Sequence, residues 1–202
     1  MKLPYRSAPV KSLCAILAII LLVGSRLPAR GSEMESPRFE LAVESAYLLG
    51  FINSPHSYEI AAEFVTARMR WGGIENDSWL HGYNQVYFSA VAEPIIRGIE
   101  NHYFGFNFGL RYNFVRSGSR FTPYFSGGVG AGLIDSHASI PGAQGQDFTF
   151  NILSAAGVSY ELNERWKVDV GVLYEHLSNG GQTDPNPSLN LIGPQIAITY
   201  SF

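Results

Sequence analysis

The sequence predicts an all-β fold, a closed antiparallel barrel of eight strands that crosses a membrane, and three observations predict it. Apolar residues recur with period two, each oily face backed by a small or polar one. No apolar run of helix length follows residue 31. Any membrane-spanning part must then be a closed barrel, which leaves no backbone group unpaired in hydrocarbon. Finally, the aromatics lie opposite the small residues and charges, whereas a soluble barrel would be greasy inside and polar outside.

The elements follow in order. Residues 1–31 read as an export signal: Lys2, Arg6 and Lys11 give a basic start, Leu13 to Val23 an uncharged apolar core, and Ala29-Arg30-Gly31 a cleavage site. The apolar stretch is short for a spanning helix. Cys14, the single cysteine, falls inside it, so the mature chain 32–202 is expected to lack thiols, disulfides and cysteine metal sites. Residues 1–31 hold five of the 14 basic residues and none of the 17 acidic ones. Nine basic against 17 acidic residues remain, a net charge of −8. Such a chain is ill suited to nucleic acid, whose phosphates demand positive charge.

The first three strands read weakly, near 38–50, 57–70 and 77–92. The fourth is clear, with Phe104, Phe106, Phe108, Leu110, Tyr112 and Phe114 opposite Gly105, Asn107, Gly109, Arg111 and Asn113. The fifth sets Phe121, Phe125, Val129 and Leu133 against Thr122, Ser126, Gly128, Gly130 and Gly132. The sixth sets Phe148, Phe150, Ile152, Ala156 and Val158 against Thr149, Asn151, Gly157 and Ser159. The last two lie near 165–178 and 190–202. Eight is an even number, as bacterial barrels require, and eight strands enclose just enough room for side chains. A packed polar core is expected, with Glu40, Glu44, Glu59 and Glu63 on the inward parity and partly neutralised by Arg111 and Lys167. The glycines of 127–132 sit in a strand with no helix after them, so they make room in a narrow barrel and are no nucleotide loop. The chain end, with Ile196, Ile198, Tyr200 and Phe202 alternating to a terminal Phe, resembles the end of bacterial outer-membrane barrels.

Connections near 71–76, 116–119 and 162–164 are short, as periplasmic turns are, while those near 50–57, 93–99, 135–146 and 179–189 are mostly longer. The seventh strand therefore runs outward. Trp71, Trp79, Trp166 and Tyr174 read as interfacial anchors. His56 and His137 fall in loops, His102 at a strand start and His81 within a strand. None has ligand spacing, so neither metal nor cofactor is expected.

The chemistry-bearing feature is His176-Leu177-Ser178 at the end of the seventh strand. A base and a hydroxyl at i, i+2 project from one face. That face also carries Trp166, Val168, Val170, Val172 and Tyr174, a surface fitted to a lipid. Asn190 has outward parity in the eighth strand, and hairpin pairing brings it toward His176. Between them, Gly180 and Gly181 let backbone N–H groups approach a reacting oxygen, and amides such as Asn179 and Asn186 can donate to an oxyanion. Glu175 adjoins His176, but its parity turns it into the barrel. Asp184 in the hairpin loop is a second acidic candidate.

The run Tyr174-Glu175-His176-Leu177-Ser178-Asn179-Gly180-Gly181, followed by Pro185-Asn186-Pro187 and the final strand, resembles the lipid A 3-O-deacylase family. The resemblance implies an outer-membrane esterase that cleaves the ester at position 3 of lipid A on the barrel exterior, with Ser178 as nucleophile and His176 as base. It implies Asn186 and the Gly181 N–H as oxyanion donors, lipopolysaccharide as substrate, and no cofactor. The family's third triad member is a glutamate, and the matching position holds Asn190. Two other readings stand beside it: a non-catalytic structural or adhesive barrel, and an esterase acting on phospholipids. The choice between monomer and homodimer is open.

Overall fold

Alternating side chains on strands of 13 to 17 residues build one closed sheet. Thirteen residues rise about 43 Å, which at a tilt of about 45° spans a bilayer core of about 30 Å. The computed structural model describes residues 39–52, 57–74 and 78–202. The export segment, Cys14 and His56 lie outside the described residues. The strands are β1 (Phe39–Ile52), β2 (Tyr58–Ile74), β3 (Gly82–Arg97), β4 (His102–Phe114), β5 (Phe121–Ile134), β6 (Phe148–Glu161), β7 (Trp166–Ser178) and β8 (Leu189–Ser201). Each pairs antiparallel with its sequence neighbour, and β1 pairs with β8 to close the barrel.

The lumen is filled. Arg68 reaches Glu44 at 2.8 Å and Asp169 at 3.2 Å, and Arg111 reaches the same Asp169 oxygen at 2.8 Å. Arg111 also donates to Ser159 and Asn113, and its guanidinium lies 3.7 Å from the centre of the Tyr124 ring. Lys167 pairs with Glu40, and Gln195 donates to Glu44. An amide ladder continues the network: Tyr87 to Asn107, Asn107 to Asn151, Asn151 to Tyr103. The remaining space among Glu44, Arg68, Tyr87, Arg111 and Tyr124 is ≈ 40 Å³, too little for an acyl chain. Glycine does make the room expected of it: a Cβ on Gly128 would stand 2.3 Å from both Asn107 Oδ1 and the Tyr87 hydroxyl.

Toward the outer end the filling changes character. Leu48, Tyr58, Ile60, Tyr103, Ile134, Leu177, Leu189 and Leu191 form an apolar plug. This plug corrects one expectation. Glu40 and Glu44 do point inward, but Glu59 and Glu63 face out, where they accept hydrogen bonds from Tyr47 (2.6 Å) and Ser45 (2.9 Å). On β2 the apolar residues are inward through Phe64 and outward from Val65, so period-two reading across that switch inverts the parity of its upper half.

Strand β3 is displaced from its expected span. Its start is delayed by a turn in which the His81 N–H bonds the Ser78 carbonyl, placing His81 before the strand. Its end continues through Pro94, where pairing with β2 is interrupted between Ile60↔Ile95 and Glu63↔Ala92, a place that tolerates a missing N–H. Strand β2 likewise outruns expectation by a bulge at Gly72, whose φ of 67° is easy only for glycine. Of the outward connections only 135–147 and 179–188 are long. They pack together, the Gly145 N–H bonding the Pro185 carbonyl at 2.7 Å and Gln146 the Gln182 side chain at 2.9 Å.

Candidate active site

Strand β7 ends at Ser178, and its alternation sorts the neighbouring side chains. Leu173, Glu175 and Leu177 are buried inward, while Val170, Val172, Tyr174, His176 and Ser178 form the outward row. In the ladder with β8, His176 stands opposite Asn190. The inward neighbours Leu177, Leu189 and Leu191 belong to the apolar plug. The outward triad therefore rests on a packed back wall, which holds its backbone still.

His176 Nε2 lies 3.1 Å from Ser178 Oγ, and His176 Nδ1 lies 2.8 Å from Asn190 Oδ1. An amide oxygen only accepts, so Nδ1 carries the proton and Nε2 presents its lone pair to the serine hydroxyl. That is the tautomer a base needs. Ser178 stands opposite Phe150 of β6 and is 9% exposed, so it is shielded on the outer wall.

The hairpin 179–188 wraps around one buried side chain. Asn179, 0% exposed, accepts the Gly181 N–H on Oδ1 and donates from Nδ2 to the carbonyls of Thr183 and Pro185. Its own N–H bonds Asn186 Oδ1 at 3.1 Å. Gly180 and Gly181 have φ of 66° and 74°, left-handed values that favour glycine and turn the chain sharply after Ser178. Sequence reasoning offered Asn179 as an oxyanion donor. The structure uses it to organise the loop. Asn186 spends its oxygen on Asn179, so Nδ2 is the end of that amide suited to a negative oxygen. The Gly181 N–H is engaged by Asn179 Oδ1.

Glu175 is inward, as its parity requires, and shares a buried site with Glu93. Asp184 is exposed in the loop, and among the described residues no carboxylate forms an ion pair with His176. His102, at the start of β4, and His137, in the loop after β5, flank Asp135 at 3.7 and 3.9 Å, apart from the triad.

One contact was absent from the sequence reading. The Tyr174 hydroxyl donates to Asn190 Oδ1 at 2.7 Å, and Asn190 Nδ2 donates to the Ser188 carbonyl at 3.2 Å. The signal for it was available, since Tyr174 and Asn190 share the outward parity and sit diagonally across the ladder.

The model of the family "Lipid A 3-O-deacylase (PagL)" matches residues 56–199, from before β2 nearly to the chain end. The chain belongs to the PagL family. Membership places it in the bacterial outer membrane, in agreement with its closed barrel. Among solved structures, the outer membrane enzyme PagL is similar at 17% identity and a TM-score of 0.57, covering 78% of this chain and 97% of that one. Neisserial surface protein A is equally similar in shape, with 14% identity, a TM-score of 0.57, and coverage of 81% and 97%. Likeness at these identities is a likeness of fold. No curated protein sequence matches the chain.

Proposed function

We propose that this member of the PagL family is an esterase that removes the 3-O-linked acyl chain of lipid A at the outer wall of its barrel. The observation that carries the reading is the chain of contacts Asn190–His176–Ser178, with 2.8 Å and 3.1 Å steps, on the lipid-facing side. Ser178 Oγ attacks the ester carbonyl as its proton passes to His176 Nε2. The tetrahedral intermediate collapses and the proton goes to the departing sugar hydroxyl, leaving an acyl group on Ser178. Water then attacks that acyl group, giving up a proton to His176, and the 3-hydroxy acid leaves as the proton returns to Ser178. Asn186 Nδ2 serves the oxyanion, joined by the Gly181 N–H once it exchanges Asn179 Oδ1 for the substrate oxygen.

The alternative, a structural or adhesive barrel without catalysis, is favoured by one observation. Asn190 is neutral where the family carries glutamate, so no carboxylate stabilises a histidine cation. Cells expressing wild type and Ser178→Ala decide between them. Mass spectra of lipid A should show loss of one 3-hydroxy acyl chain with wild type only, both proteins migrating as heat-modifiable barrels. Unaltered lipid A with both, and tolerance of His176→Ala, would establish the non-catalytic reading. Equal deacylation by both would remove Ser178 from the mechanism. Offering purified protein lipid A and phospholipid side by side separates the two esterase readings.

A further inference from the structure

We infer that Tyr174 is a positioning residue, whose hydroxyl, together with the Ser188 carbonyl, holds the Asn190 amide in the single orientation that makes His176 a base. The inference rests on the esterase reading above and concerns a weakness in it. A glutamate at the third position has two equivalent oxygens, so either rotation presents an acceptor to His176. An asparagine is not symmetrical. Turned over, it would offer Nδ2–H to Nδ1, which would then have to be the unprotonated nitrogen. The proton would move to Nε2 and face Ser178 as a donor, with no lone pair left to accept the hydroxyl proton. An amide in this position is thus a switch between a reactive and a dead tautomer, and something must set it.

Two contacts set it. The Ser188 carbonyl can only accept, and Asn190 Nδ2 lies 3.2 Å from it, which fixes the nitrogen end. Ser188 has φ of 50°, a left-handed conformation uncommon outside glycine, just before β8. At the other end, Oδ1 receives two donors, His176 Nδ1 at 2.8 Å and the Tyr174 hydroxyl at 2.7 Å. Tyr174 lies on the outward row two residues before His176, with Ser154 opposite on β6 and Ile192 opposite on β8. On a wall shielded from bulk water, a phenol that loses this acceptor is left with an unmet hydrogen bond, so both partners favour the observed orientation. Two donors on one oxygen do not strengthen each other. The hydroxyl therefore acts on where the amide points, and its loss should appear in the rate and not in substrate binding.

The test is Tyr174→Phe, which keeps the ring and removes only the hydroxyl, in the full chain in lipid-containing micelles. The substitution is made in the wild-type and Asn190→Glu backgrounds. With Asn190 present, kcat should fall about tenfold with KM unchanged. With glutamate at 190 the same substitution should change kcat by less than about twofold, because a carboxylate needs no orienting. Nitrogen-15 NMR of histidine-labelled protein gives a readout independent of activity. Wild type should show His176 as one Nδ1–H tautomer, Tyr174→Phe a mixture of two, and the double variant one again. An unmixed tautomer and unchanged kcat in Tyr174→Phe would overturn the inference, as would equal losses in both backgrounds. If wild type does not act on lipid A, the esterase reading fails by itself, and the NMR comparison still decides what Tyr174 does.

Discussion

Replacing Asn190 by glutamate should make the protein faster. In the proposed mechanism the transition state places a positive charge on His176, and the group at hydrogen-bond distance from Nδ1 is at present an amide oxygen, 2.8 Å away. A carboxylate there would face the imidazolium at about 4 Å between charge centres. At an effective dielectric of about 20, a unit pair at that separation is worth about 4 kcal/mol. Roughly half is offset by desolvating the carboxylate on a shielded wall, leaving about 2 kcal/mol, or about thirtyfold in kcat. Asparagine already supplies the correct tautomer, so the gain is smaller than the loss of about ten-thousandfold seen when an amide replaces a triad carboxylate and imposes the wrong one. Asn190→Asp should gain less, because its second oxygen would stand where Nδ2 now donates to the Ser188 carbonyl. Asn190→Leu, which leaves Nδ1 without an acceptor, should lose at least about a hundredfold. The assay is single-turnover release of 3-hydroxy acid from lipopolysaccharide in mixed micelles, followed by mass spectrometry. A folded Asn190→Glu barrel that is no faster than wild type, with Asn190→Leu unimpaired, would refute the claim that residue 190 acts on His176.

Two further outcomes test the barrel that carries the site. Asp169→Ala leaves Arg68 and Arg111 facing each other without their shared acceptor, so the urea midpoint in detergent should fall by the equivalent of about 3–5 kcal/mol, with activity per folded molecule unchanged. Val129→Arg, which puts a cation on an exposed mid-height position of the lipid-facing wall, should cost about 2–4 kcal/mol, whereas Glu63→Arg should stay within about 1 kcal/mol in the same titration.

The second half of the barrel was legible because one phase of alternation holds over most of each strand. In β4 through β8 the outward residues are aromatic or aliphatic over most of the span, and the inward ones small or polar, so parity alone put Ser178, His176 and Asn190 outside and Glu175 inside. The first half was less legible because two rules meet within a strand. Tyr58, Ile60 and Phe64 fill the lumen of β2, then Val65 and Met69 face lipid, and no single phase fits both. Glu59 and Glu63 were misplaced for that reason, and β3 was displaced by a turn at Ser78 and a proline carried inside the strand. The ion pairs of Arg68 and Asp169 join strands far apart in sequence, and no local spacing announces them. At the site, residue type and parity singled out three residues whose side chains the fold brings into contact. They could not tell that Asn179 is a loop organiser or that Tyr174 bonds Asn190, because both depend on which hydrogen bond an amide takes.

The reversal that obscured β2 also bears on the proposed chemistry. Below it the wall is apolar outside and polar inside; above it, on β1, β2, β7 and β8, Leu48, Tyr58, Leu177, Leu189 and Leu191 turn inward while Glu59, Glu63, His176, Ser178 and Asn190 turn outward, whereas β4 to β6 keep Phe104, Leu133, Phe148 and Phe150 outward to their ends. A barrel wall reverses its polarity where its surroundings do, at the plane where hydrocarbon gives way to sugar headgroups. In the proposed mechanism the triad works at that plane. An acyl ester of lipid A lies there too, since it joins a sugar to a chain. On that reading lipid A need not leave the membrane or enter the protein, and the ≈ 40 Å³ among Glu44, Arg68 and Tyr87 would not hold an acyl chain. Membrane depth thus supplies part of the orientation that a soluble hydrolase must build with a pocket. On the proposed reading a shallow outer site of three residues and one hairpin is then sufficient, provided the amide at 190 is held the right way round.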